Sequence, residues 1–269
     1  IIATDYSPEA ENAMQYAAEA APEKGYTLVL FTLQNVSIHA LNARLSSAAI
    51  NDYLEVQKNK LEDVTSSLGV IYGIQTVPHF ATGDFYEELG RCVHLHQADL
   101  VVAGMAQKSV EQDLLGNTTT DVLGRFNFPL LAIPATARYS GIKNIVFACD
   151  IVKGVQKKIL DKVKSLAADF GASVEVFHVV KEIEKLGMEK LVSDNLEQIE
   201  LCLTGVNYLY KHVKSEQIIK AIKDETISVK ADLLIMVPYK YGFWGSILHR
   251  SKTRMMASGN SIPLLSIPF

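Results

Sequence analysis

The chain has 269 residues, 48% of them hydrophobic and 21% charged, with a formal net charge of -4. That balance is the one of a globular protein with a substantial core, and it excludes disordered and low-complexity classes. Net acidity removes the electrostatic case for nucleic acid, and no apolar run reaches the roughly 20 residues of a membrane span, so neither is expected as a partner.

From the start, residues 1–4 (Ile-Ile-Ala-Thr) read as the end of a buried strand. The chain opens inside that strand without Met, so a few upstream residues are expected. Asp5-Tyr6-Ser7-Pro8-Glu9 turns the strand into a helix: Ser7 is a good N-cap, Pro8 suits the first helical position, and Gly25 is the matching stop after about Lys24. Residues 26–36 form the second strand. Leu41, Leu45, Tyr53, Leu54, Leu61 and Val64 fall at helical spacing within 38–68, with a break expected near Asn51. Residues 74–80 form the third strand, and Thr82-Gly83-Asp84 starts a helix over Phe85, Leu89 and Val93. Then come Ala98-Asp99-Leu100-Val101-Val102-Ala103-Gly104, a turn at Gly116-Asn117-Thr118, and Phe128-Pro129-Leu130-Leu131-Ala132-Ile133-Pro134, a strand-loop-helix-strand unit.

That unit recurs. Ala231-Asp232-Leu233-Leu234-Ile235-Met236-Val237 and Ile262-Pro263-Leu264-Leu265-Ser266-Ile267-Pro268 repeat its two strands about 133 residues later. The stretches between follow the same order, through strands at 145–149, 172–180 and 207–213 and helices ending near Phe170, Leu203 and Ser228. The sequence therefore predicts an α/β protein of two tandem doubly wound domains, residues 1–137 and 142–269. Each is a five-stranded parallel sheet in the order 3-2-1-4-5, flanked by helices. A linker as short as Arg138-Tyr139-Ser140-Gly141 predicts close docking. In such a sheet the ligand crevice lies beyond the carboxyl ends of the strands where the winding reverses, which brings Thr4 and Asp5 beside Gly104.

Residues 3–13 (Ala-Thr-Asp-Tyr-Ser-Pro-Glu-Ala-Glu-Asn-Ala), Thr82-Gly83-Asp84, 98–104, Leu114-Leu115-Gly116-Asn117-Thr118 and 128–134 resemble, in order and spacing, the universal stress protein family in its tandem form. The resemblance implies an adenine-nucleotide site, for ATP or AMP, built from the Asp after strand one and a Gly-x-x-Gly, nine residues, Gly-Ser/Thr loop after strand four. Carried over, Asp5 accepts from adenine, Gly104 lets ribose and phosphate pass close to the backbone, and Gly116, Asn117 and Thr118 hold phosphate. Free N–H groups at a helix start attract anions, which agrees with that last role. The resemblance also implies pairing through the fifth strands, here within one chain as a pseudo-dimer. Association of two chains into a homodimer stays open.

The pattern is broken at Gln107, which stands for the second Gly, in a connector about one residue short. Its side chain either blocks phosphates or bonds them. The second half keeps Asp150 but has Val237-Pro238 for the glycine end, and Arg250-Ser251-Lys252-Thr253 where the phosphate turn should be. It is expected not to hold ATP in the family's way; the four residues form either an anion site or solvated surface.

Cys92, His94 and His96 invite a metal, but on a helix His94 points away from the other two, so a packed thiol with exposed imidazoles and no metal is expected. Three scattered cysteines favour a reducing, cytoplasmic setting. Tyr239, Tyr241, Phe243 and Trp244 form either a protein-partner surface or the filling of a vacated cleft. No nucleophile, His and acid stand at motif spacing, and no catalytic residue is assigned. The expected function is a nucleotide-responsive regulator. The alternatives are a nucleotide-free protein-interaction module and a weak ATP hydrolase.

Overall fold

The structure, a computed structural model, describes residues 1–34, 46–105, 128–180, 189–237 and 262–268. Ten strands lie among them: β1 (Ile2–Ala3), β2 (Leu28–Gln34), β3 (Thr76–Thr82), β4 (Val101–Met105) and β5 (Leu130–Pro134) in the first half, then β6 (Asn144–Ala148), β7 (Ser173–Val180), β8 (Tyr208–Lys214), β9 (Leu233–Met236) and β10 (Leu264–Ser266). The described helices are α1 (Pro8–Ala20), α2 (Ser47–Tyr72), α3 (Phe85–Leu95), α4 (Lys157–Phe170), α5 (Glu189–Leu203) and α6 (Ile218–Ser228).

The strands join into one sheet in the order β3-β2-β1-β4-β5-β10-β9-β6-β7-β8. Each half has the expected winding 3-2-1-4-5, with parallel neighbours. The halves meet through the two fifth strands, β5 and β10, which run antiparallel with Leu131 opposite Leu265. The apolar runs that carried the repeat are those covered on both faces: Val101, Val102 and Ala103 in β4 and all of β9 are buried.

Helix starts follow their caps. Ser7 accepts from Ala10 N at 3.3 Å with Pro8 at the first turn, and Asp84 accepts from Tyr86 N at 2.9 Å and Glu87 N at 3.1 Å. The ends differ from expectation. Helix α1 stops at Ala20 rather than near Lys24, because Pro22 cannot continue the ladder, and Gly25 (φ 66°) then closes a turn in which Tyr26 N donates to Ala21 O at 3.2 Å. Helix α2 runs unbroken through Asn51 and ends beyond residue 68, at Tyr72, where Gly73 takes the left-handed cap conformation at φ 64°. Residues 38–45 of the expected helix lie outside the described residues.

The first half buries one cluster on each face of its strands, around Ile2, Leu30, Leu61 and Ile133 on one side and Val29, Phe31, Leu89 and Cys92 on the other. The second half has one continuous core, against which Leu100, Leu131 and Tyr139 of the first also pack. A further bond crosses the joint, from Tyr26 to Asp169, and others anchor the chain leading into it to α1. Asn12 donates from Nδ2 to Pro134 O at 3.0 Å and Ala137 O at 3.2 Å, Tyr26 donates to Asp169 Oδ2 at 3.0 Å, and the Tyr16 and Tyr139 rings meet edge-on at 5.3 Å. The linker is thus pinned to α1, and close docking of the halves follows.

Candidate functional site

Strand β1 lies between β2 and β4, with Ala3 opposite both Phe31 and Ala103. The chain leaves β1 toward β2 on one side, and β4 pairs on the other, so the winding reverses at this pair, the place beyond which open α/β sheets carry their ligand crevice. Thr4 is buried; its N donates to Phe31 O at 2.9 Å and its Oγ1 accepts from Tyr6 N at 3.1 Å. Asp5 is exposed and accepts from Ser7 N at 2.9 Å through Oδ1. This turn forces Tyr6 into the left-handed region at φ 62°, a strained position for a side-chain-bearing residue.

Polar side chains gather beside this reversal. The Lys60 Nζ of α2 sits 3.9 Å from the centroid of the Tyr6 ring, and burial raises the Tyr6 phenol above its ordinary pKa while the neighbouring Thr32 hydroxyl opposes the shift. Tyr6 Oη and Thr32 Oγ1 are both buried and adjacent, and the hydrogen bond between the two side chains is what opposes that rise.

Gly104 has a structural reason of its own. A Cβ placed there would lie 2.8 Å from Ala10 N and nearer still to the carbonyl group of Glu9, so the missing side chain is what lets the first turn of α1 rest on β4. Gln107, Gly116, Asn117 and Thr118 lie outside the described residues, as do Arg250, Ser251, Lys252, Thr253 and the aromatic stretch 239–244.

The corresponding place in the second half carries different, mutually bonded side chains. The register puts His178 where the first half has Thr32, and Val237 follows β9 where Gly104 stands in β4. His178 is buried, with Nδ1 3.1 Å from Cys149 O and 3.3 Å from Ile151 N. Asp150, exposed only 7%, accepts from Lys153 N at 3.4 Å and lies 3.7 Å from Lys153 Nζ. Asn195 of α5 donates to Ile151 O at 2.7 Å. Helix α4 starts only at Lys157, well past Asp150, whereas α1 starts at Pro8, directly behind Asp5; Val237 can therefore be accommodated where Gly104 cannot be replaced.

A second constellation lies on the other side of the first half. Cys92 is buried and His94 exposed, as expected, but His96 is half-buried rather than exposed, because it bonds His79 of β3. His79 Nδ1 and His96 Nε2 are 3.0 Å apart with their rings nearly perpendicular, and the ligand atoms of His79, Cys92 and His96 all lie within 4.8 Å of one another. Spacing along the helix paired Cys92 with His96 but had no means of adding His79, which arrives from a different element.

With this geometry, the comparisons are consistent. Residues 1–134 match the sequence profile of the Universal stress protein family. The chain belongs to the universal stress protein family. No curated protein matches it in sequence. Among solved structures, a universal stress protein from Archaeoglobus fulgidus DSM 4304 superposes with a TM-score of 0.70 at 15% identity, covering 99% of this chain and 94% of that one. A protein of Pseudomonas aeruginosa UCBPP-PA14 described under the same family name gives 0.63 at 13% identity, over 99% and 91%. A protein of unknown function from Pseudomonas aeruginosa PAO1 gives 0.60 at 12%, over 94% and 85%. At such identities the likeness is one of fold. Among the described residues no helix is long and apolar enough to cross a membrane.

Proposed function

We propose that the protein is a cytoplasmic nucleotide-responsive regulator whose first half takes an adenine nucleotide, ATP or AMP, in the crevice beyond β1 and β4. Thr4 and Asp5 meet the adenine, and Gly104, Gln107, Gly116, Asn117 and Thr118 border the ribose and phosphates. The observation that carries this proposal is the contrast between the two aspartates. Asp5 is exposed where the winding of its sheet reverses, whereas Asp150 is buried against Lys153. Only the first is presented to an incoming base.

Isothermal titration of ATP and AMP into the wild type, Asp5→Ala and Asp150→Ala tests it, together with mass spectrometry of ligands released from freshly purified protein. Binding that is lost in Asp5→Ala, kept in Asp150→Ala and unaccompanied by phosphate release is the expected result. Turnover would make the protein a weak ATP hydrolase instead. A second proposal, the nucleotide-free interaction module, is favoured by Gly104, whose presence the contact with α1 accounts for without any ligand. Absence of binding in either half, with partner capture that depends on Trp244, would select it.

A further inference from the structure

We propose that His79, Cys92 and His96 form a binding site for a divalent transition metal of the zinc type. The three residues come from two elements that pack face to face. His79 leaves β3 on the same side of the sheet as Phe31, its partner in β2, and the two rings stack at 5.8 Å with an interplanar angle of 29°. Phe31 is fully buried, so the stack fixes the plane of the imidazole. Helix α3 covers this side of the sheet and sinks Cys92 into the core beside Phe31 and Leu89. His96, one helical turn after Cys92, is carried on the same face to the rim.

The distances suit coordination. Tetrahedral zinc with Zn–N bonds of about 2.0–2.1 Å places two nitrogen ligands about 3.3 Å apart, and a sulfur at about 2.3 Å lies about 3.6 Å from each. The two imidazole nitrogens stand 3.0 Å apart, close to that spacing, and the Cys92 sulfur lies within 4.8 Å of both, so the rings must turn until their lone pairs converge and the sulfur must draw in by at most about 1.2 Å to meet the ion. One sulfur and two imidazole nitrogens, with no oxygen ligand among the described residues of the cluster, select zinc, cobalt or a similar borderline ion over magnesium or calcium. Cys92 forms the floor while both imidazoles are half-buried, which keeps a route from solvent.

Binding is balanced by one proton. The Cys92 thiol gives its proton to buffer as the sulfur–metal bond forms. The imidazole that donates in the metal-free pair keeps its proton by moving it to its other ring nitrogen, so both rings present lone pairs.

Titration of chelator-stripped full-length protein with Co²⁺ and Zn²⁺ tests the site. One equivalent of Co²⁺ is expected to give tetrahedral visible bands and a thiolate-to-cobalt charge-transfer band, both abolished by Zn²⁺, which also raises the melting temperature. Cys92→Ser should abolish the charge-transfer band. His79→Gln and His96→Gln should weaken binding at least about 10-fold, and His94→Gln, on the outer face, should leave it unchanged. Because Cys92 is in the core, the two half-buried histidine variants, checked for folding by circular dichroism, decide the matter if Cys92→Ser does not fold. Absence of the bands in the wild type, or affinity unchanged in His79→Gln and His96→Gln, overturns the assignment.

Discussion

Replacing Gly104 by alanine separates a glycine kept for packing from one kept only for a ligand. The added methyl would sit 2.8 Å from Ala10 N and closer to the Glu9 carbonyl, against atoms of a capped helical turn that cannot rotate aside as a side chain would. Helix α1 must retreat from β4 by about 1 Å to restore ordinary contact, and its buried face, Ala10, Ala13, Tyr16 and Ala17, retreats with it. Overpacking of this kind costs about 3 kcal/mol, the upper end of the usual range. For a chain of this size that lowers the melting temperature by roughly 6–12 °C. Gly90 supplies the control: it lies in α3 with nothing within 4 Å of its virtual Cβ, so Gly90→Ala should stabilise by about 1 kcal/mol. Thermal melts of both variants without nucleotide give the answer. A Gly104→Ala variant melting within about 1 °C of the wild type would refute the packing argument.

In the second half, Lys211 of β8 lies 2.7 Å from Glu225 Oε2 and 2.8 Å from Oε1, next to the buried Glu175 of β7. Burial, and then the charge of Glu225, raise the Glu175 carboxyl above its ordinary pKa of 4.5, while Lys211 opposes the rise. A carboxyl with a raised folded pKa holds more protons folded than unfolded, so its contribution to stability falls as pH climbs from that ordinary value through the folded one. Lys211→Met should deepen this fall and cost about 2 kcal/mol near neutrality, read from urea titrations at about pH 4, 6 and 8; a penalty independent of pH would contradict it. Asp84→Ala removes the oxygen that caps two N–H groups of α3, and chemical denaturation should show a loss of about 1 kcal/mol.

Much of the fold was legible because its signals are local. Ser7-Pro8 and Thr82-Gly83-Asp84 fix helix starts through atoms two or three residues away, and the apolar runs at 98–104 and 128–134 report burial on both faces without reference to the rest of the chain. Their recurrence gave the doubling, and the family resemblance gave the joint between fifth strands. The site was less legible. Thr4 and Asp5 could be set beside Gly104 from strand order, but the contact of Gly104 with Glu9 depends on how steeply α1 leaves β1, a tertiary angle with no sequence signature. His79 was invisible for a related reason. Nothing in Thr76-Val77-Pro78-His79 announces a ligand, and only the packing of α3 on β3 brings Cys92 and His96 to it.

Because β5 and β10 run in opposite directions, the strands of one half end on the rim where those of the other begin. The points where the winding reverses therefore lie on opposite margins of a shared ten-stranded slab, too far apart for one small molecule to touch both. Joined tail to tail in this way, the two halves share a core but no common mouth, so side chains at one reversal can change without altering the other.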